Sequence, residues 1–142
     1  MPVSPLTQRD RSRKRVFVLG VYASAVHARW IGVDGRQRIG ALAVASEPEI
    51  FWRGDDAAAL SIVSSIPVPV GVGRLEPASS QFNGPSGRAL DELFLQPLGL
   101  TRKDAWLCDL VPHSCMNEKQ AAALVREYDP LAKELGLPAY KW

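Results

Sequence analysis

The chain has only two cysteines, Cys108 and Cys115, and two histidines, His27 and His113, among its 142 residues. Two cysteines cannot build a disulfide framework, and with these histidines they match no zinc-site spacing. They read as free thiols, with Cys108 in the core. No apolar run approaches the ~20 residues needed to cross a bilayer, so no membrane partner is expected. The start, MPVSPLTQRDRSRKR, is positively charged but lacks the apolar stretch of a secretory signal, and a cytoplasmic protein is expected. Neither sign of charge dominates: 17 Lys and Arg stand against 15 Asp and Glu, for a net charge of +2. Such a balance neither demands nor excludes a polyanionic partner. Gly71-Val72-Gly73 lacks the Lys and Ser/Thr of a phosphate loop. Ser24 and Ser86 sit in no nucleophile elbow and read as caps.

What is present is an ordinary globular composition, 46% hydrophobic and 23% charged, in a length that suits one domain. Arg9, Arg11, Arg13, Lys14 and Arg15 crowd a basic arm over residues 1–15, with a single α/β domain over 16–142. The arm suits either phosphate neutralisation or plain solvation. Val16-Phe17-Val18-Leu19 is a continuous apolar run ending at Gly20, the pattern of a strand buried on both faces of a parallel sheet. Ligand sites in such sheets lie beyond the carboxyl ends of strands, which directs attention to Gly20–His27.

Asp34-Gly35 between two β-favouring runs predicts a hairpin over about residues 29–45. Asp55 caps a predicted helix to Ser65. The Pro- and Gly-rich residues 66–84 read as a long irregular connection. Ser86 opens a predicted helix with Leu90, Leu93 and Phe94 on one face, stopped by Pro97. Ala105–Val111 reads as a second buried strand carrying Asp109 near its carboxyl end. Asn117 and Gln120 form a capping-box pair, and Pro130 divides the last helical stretch in two. The four tryptophans, Trp30, Trp52, Trp106 and Trp142, read as packing residues.

Three collinear segments resemble the uracil-DNA glycosylase superfamily. They are Val18–His27, a strand with a Gly and small-residue loop; Phe82-Asn83-Gly84-Pro85-Ser86-Gly87-Arg88-Ala89-Leu90-Asp91, opening a helix; and Gly99-Leu100-Thr101-Arg102 followed by Trp106–Val111 and Asn117. The resemblance implies a three-layer α-β-α fold around a mostly parallel four-stranded sheet. It implies a DNA or nucleotide partner and base-binding roles for Gly20, Tyr22, Phe82, Asn83, Ser86 and Asp109. Phe82 would stack on an extruded base. Ser24, Arg88 and Asn117 would contact the nucleic-acid backbone.

Two positions depart from the family pattern. Asp109 stands where the family usually has an Asn that reads the base edge, and an ionised Asp only accepts hydrogen bonds. Tyr22 lies close to where the family has the Asp or Asn that positions the attacking water, and a phenol is a poor base near neutrality. His27 is then the remaining catalytic candidate of the first loop, against its reading as a structural hydrogen-bonder. The sequence also stops before the family's last strand and His loop, so that the domain is either truncated or closed differently. No metal site, iron–sulfur cluster or other cofactor is expected. Three functions stay open: a base-binding descendant of a glycosylase, an active glycosylase of unusual specificity, and an interaction scaffold presenting the Trp30–Trp52 region and the loop over 66–84.

Overall fold

The computed structural model describes residue 10 and residues 12–141. Arg9 and Arg11 of the basic arm and Trp142 lie outside the described residues. Among the described residues five strands form two sheets. β1 (Val16–Tyr22) pairs in parallel with β5 (Ala105–Val111), Gly20 standing opposite Asp109. β2 (Ala25–Ile31) lies between β3 (Gln37–Ser46) and β4 (Arg74–Pro77), antiparallel to both. The α/β class holds, but the expected four-stranded parallel sheet does not form. Only two residues separate β1 from β2, far short of the dozen or more that a parallel crossover needs. β2 instead starts a second sheet, folding back at Asp34-Gly35 as the hairpin signal requires.

The connection over 66–84 is not wholly irregular, because β4 arises within it and pairs with β2. Its Pro77 sits at the end of an edge strand, where a missing N–H is tolerated. The antiparallel sheet is covered on both faces. Val26 and Ala28 pack with Trp52 and with Ala59 and Val63 of α1 (Asp56–Ser64), while Trp30, Ile39 and Leu42 pack toward Leu124, Tyr128 and Leu131 of α3 (Glu118–Leu135). A register shift between Ala28 and Trp30 turns the indole to the second face, where its Nε1–H donates to the Val72 carbonyl at 2.9 Å. Trp30 and Trp52 are thus core residues, which removes them from any presented surface.

The parallel pair is covered on one face only. Val16, Val18, Ala105 and Leu107 meet Leu90, Leu95 and Leu100, whereas Phe17, Leu19, Val21 and Leu110 are each more than half exposed on the other face. The expectation that β1 is buried on both faces fails because no element among the described residues packs on this side. Cys108 shares the bare side and is half-buried, not a core residue.

The predicted apolar face Leu90, Leu93 and Phe94 is also corrected. α2 (Pro85–Ala89) passes into a π-helical turn over Leu90–Leu95, whose five-residue spacing aligns Leu90 with Leu95. Those two are buried, while Leu93 and Phe94 face outward. Gly84, not Ser86, is the N-cap. α3 runs unbroken through Pro130 to its Gly136 cap. Asn117 caps it by accepting from the Gln120 N–H at 2.9 Å, but the Gln120 side chain turns away to accept from the Ala43 N–H, so the box is only half made.

α2 is seated by close backbone approach. A methyl at Gly87 would fall inside contact distance of the Phe51 and Trp52 carbonyl oxygens. Gly87→Ala therefore forces α2 off residues 51–52, and a loss of at least about 2 kcal/mol is expected in urea unfolding.

Candidate functional site

The carboxyl ends of β1 and β5 are held side by side by their parallel register, with Gly20 and Asp109 as neighbours. The Asp109 carboxylate lies against the Gly20 Cα where any side chain would collide with it, and the Phe51 ring closes on the same glycine. Alternation along β5 turns Ala105, Leu107 and Asp109 to the covered face, leaving Asp109 8% exposed. Its carboxylate accepts no hydrogen bond from any described residue. Burial raises its pKa.

A second carboxylate, Glu47, is 2% exposed and follows β3 directly. Its N–H donates to the Ser24 carbonyl at 2.9 Å, tying it to the loop beyond β1. Its Oε2 accepts from the Trp52 N–H at 3.2 Å, with the Ser24 and Phe51 backbones as further donors. Burial outweighs these bonds and, with the charge of Asp109 added, pushes its pKa up to about 7. Among the described residues neither Glu47 nor Asp109 forms an ion pair. The turn that supplies the donors is itself strained. Phe51 holds φ at 53°, a conformation a bulky side chain rarely adopts and that costs on the order of 1–3 kcal/mol.

The sequence-predicted residues fall into two groups. Gly20, Tyr22, Ser24 and Asp109 gather at the strand ends. Tyr22 lies two residues beyond Gly20 on the same face by strand alternation, and is 62% exposed. His27, Phe82, Asn83 and Arg88 form the other group, linked to the first through residues 47–54. The His27 and Phe82 rings lie 6.4 Å apart. Burial lowers the His27 pKa, favouring the neutral imidazole, and its Nε2 is 3.5 Å from the Gln120 amide nitrogen.

Two of the second group are committed to the backbone. The Asn83 amide accepts from the His27 N–H at 2.8 Å and donates to the His27 carbonyl at 3.1 Å and the Ala78 carbonyl at 3.3 Å. The Arg88 guanidinium donates to the carbonyls of Arg53, Asn83 and Ser80. Both act as braces, with little hydrogen-bonding capacity left for a ligand. Ser86 is exposed on α2, and Asn117 is spent on its cap. Among the described residues no three His, Cys, Asp or Glu side chains converge on a possible metal position.

Sequence reasoning missed Glu47 and Phe51. Glu47-Pro48 looks like a loop boundary, and its one distinguishing signal is an acid set between an apolar strand and the apolar Ile50-Phe51-Trp52. No protein-family model, curated protein or solved structure matches this chain.

Two raised carboxyl groups make stability depend on pH. The folded state keeps a proton on Glu47 between the ordinary value of 4.5 and about 7, so it binds more protons than the unfolded chain in that window. This contribution is complete below the window and is lost as pH rises through it, by about 3 kcal/mol. Glu47→Gln should remove that slope. Denaturant midpoints across about pH 4–8 should show the variant gaining on the parent as pH rises.

Proposed function

We propose that this protein binds a nucleobase, in DNA or as a nucleotide, at the carboxyl ends of β1 and β5, as a divergent relative of base-excising glycosylases. The observation that carries this reading is the place of Asp109, a carboxyl group 8% exposed at the end of β5 beside Gly20 that no described residue hydrogen-bonds. Its oxygens are not sealed from solvent, the one sealed and unpartnered side-chain polar atom among the described residues being His27 Nδ1, and so a ligand edge can reach them. Burial favours the neutral acid, and a protonated carboxyl has one donor and one acceptor on one edge, as an amide does. Where Asp109 is protonated it presents the donor–acceptor pattern of the family's Asn, and where it is ionised it only accepts.

The alternative, a scaffold kept for protein interactions, loses the Trp30–Trp52 part of the surface assigned to it, since both indoles are internal, and keeps the loop over 66–84, where Val70 is 97% exposed.

Oligonucleotides carrying uracil, hypoxanthine or xanthine should be retained over the unmodified control in a filter or gel-shift assay. Neither retention nor cleavage of any of them would sink the proposal. Asp109→Ala should weaken retention at least about tenfold. Asp109→Asn should preserve it and abolish its decline with rising pH, a decline expected of the parent as Asp109 ionises.

A further inference from the structure

We propose that the cleft between the loop over 66–73 and α3 binds a free fatty carboxylate, with the aliphatic chain against Trp30 and the head at Lys141. The inference stands apart from the base-binding reading, since none of the residues it uses belongs to that site.

The inner end of the cleft is built from three elements. Trp30 and Leu42 of the β2–β3 face, Val68 and Val72 of the loop, and Leu124 and Tyr128 of α3 surround about 140 Å³, and every side chain lining that space is apolar or aromatic. An apolar cavity of about 150 Å³ stays dry and admits a benzene-sized guest, so this end accommodates about six carbons. Its two side-chain donors are already used. The Trp30 Nε1–H donates to the Val72 carbonyl at 2.9 Å, and the Tyr128 hydroxyl donates to the Pro138 carbonyl at 3.2 Å. A polar segment entering here would lose its water without replacement, whereas an apolar one would not. The width is set by contact across the cleft: Gly71 of the loop lies so close to Leu135 of α3 that a methyl added to it would crowd the leucine.

The outer end supplies the head group. Pro69, Leu124 and Tyr128 also line a second space of about 350 Å³, whose other wall is Pro138, Tyr140 and Lys141. That wall is fixed along α3, because the Leu137 N–H donates to the Ala132 carbonyl at 2.8 Å and the Tyr140 N–H to the Asp129 carboxylate at 2.9 Å. Lys141 is the one charged side chain lining either space, and it forms no ion pair with a described residue. An ammonium is a compact point charge on a flexible stem, suited to a single anionic head and not to a planar, bidentate one. Pairing at an exposed lysine contributes little affinity. Chain burial therefore sets the strength of binding, and Lys141 sets the choice of head.

The experiment is calorimetric titration of the full chain with hexanoate, octanoate and decanoate below their micelle-forming concentrations, with decanol and decylamine as the neutral and cationic arms. Expected is one site whose affinity rises about fourfold per added methylene until the cleft is filled. Decanoate should bind better than decanol, and both better than decylamine. Lys141→Gln should bring decanoate down to the level of decanol, a loss of up to about fivefold, and leave decanol unchanged. Leu124→Trp, which fills the junction of the two spaces, should weaken decanoate at least about tenfold. Absence of binding by the carboxylates, an affinity independent of chain length, or equal binding of the three head groups overturns the proposal. So does decanoate binding that survives Leu124→Trp within threefold. Should Leu124→Trp fail to fold, the chain-length series and the exposed Lys141→Gln decide the matter.

Discussion

The contact between Gly20 and Asp109 is the constraint around which the site is arranged. A parallel register puts the two residues side by side, and only a residue without a side chain leaves room for the carboxylate to turn inward. Burying an acid there is unfavourable unless it is neutralised or paired. No cation among the described residues pairs with it. The cations nearest in sequence to the segment that closes over it, Arg53 and Arg102, are committed to Asp91, and Arg102 also donates to the carbonyls of Gly87 and Ile50. That fork ties α2 and residues 50–53 to the start of β5, and so sets the height of Phe51 above Gly20. The basic side chains build the frame, and the two internal carboxyl groups are left to titrate.

This division of labour separates the polar residues by role better than residue type does. Asn83 and Arg88 look like ligand-binding groups in the sequence, since an amide and a guanidinium are common partners of bases and phosphates. In the fold each is saturated by main-chain groups, because the loop over 78–84 has carbonyls and amides that no strand satisfies. Asp109 and Glu47 are the reverse case. Their hydrogen-bonding capacity is incompletely used, and burial raises both pKa values. An unfilled valence of this kind points to chemistry more directly than an exposed charge does.

Local chemistry was legible where it decides structure alone. Asp34-Gly35 made the hairpin, Asp55 capped α1, and the apolar runs at 16–19 and 105–111 became the parallel pair. Features set by long-range pairing were not. β4 lies in a Pro-rich stretch and exists because β2 offers it an edge; the π turn after α2 exists because Leu90 and Leu95 must both reach the core under β1 and β5. α3 continues through Pro130, where the strongest sequence signal demanded a break. Packing against Trp30 and the rest of the β2–β3 face outweighed it.

The same distinction explains why the site was half visible. Gly20 and Asp109 each end a recognisable strand, and a strand end is a position that sequence can specify. Glu47 gains its character only from three backbone donors contributed by Ser24, Phe51 and Trp52, and from an acid 62 positions along the chain. Nothing in the residues around Glu47-Pro48 encodes that environment. The site therefore depends on convergence between two sheets: the parallel pair supplies Gly20 and Asp109, the antiparallel sheet delivers Glu47 from the end of β3, and the Phe51 turn closes the space between them. A change that leaves every one of these side chains in place but alters how the sheets meet, such as displacement of α2 from residues 51–52, should disturb the Glu47 titration along with stability, because α2 rests on the carbonyls of the same two residues whose N–H groups hold Glu47.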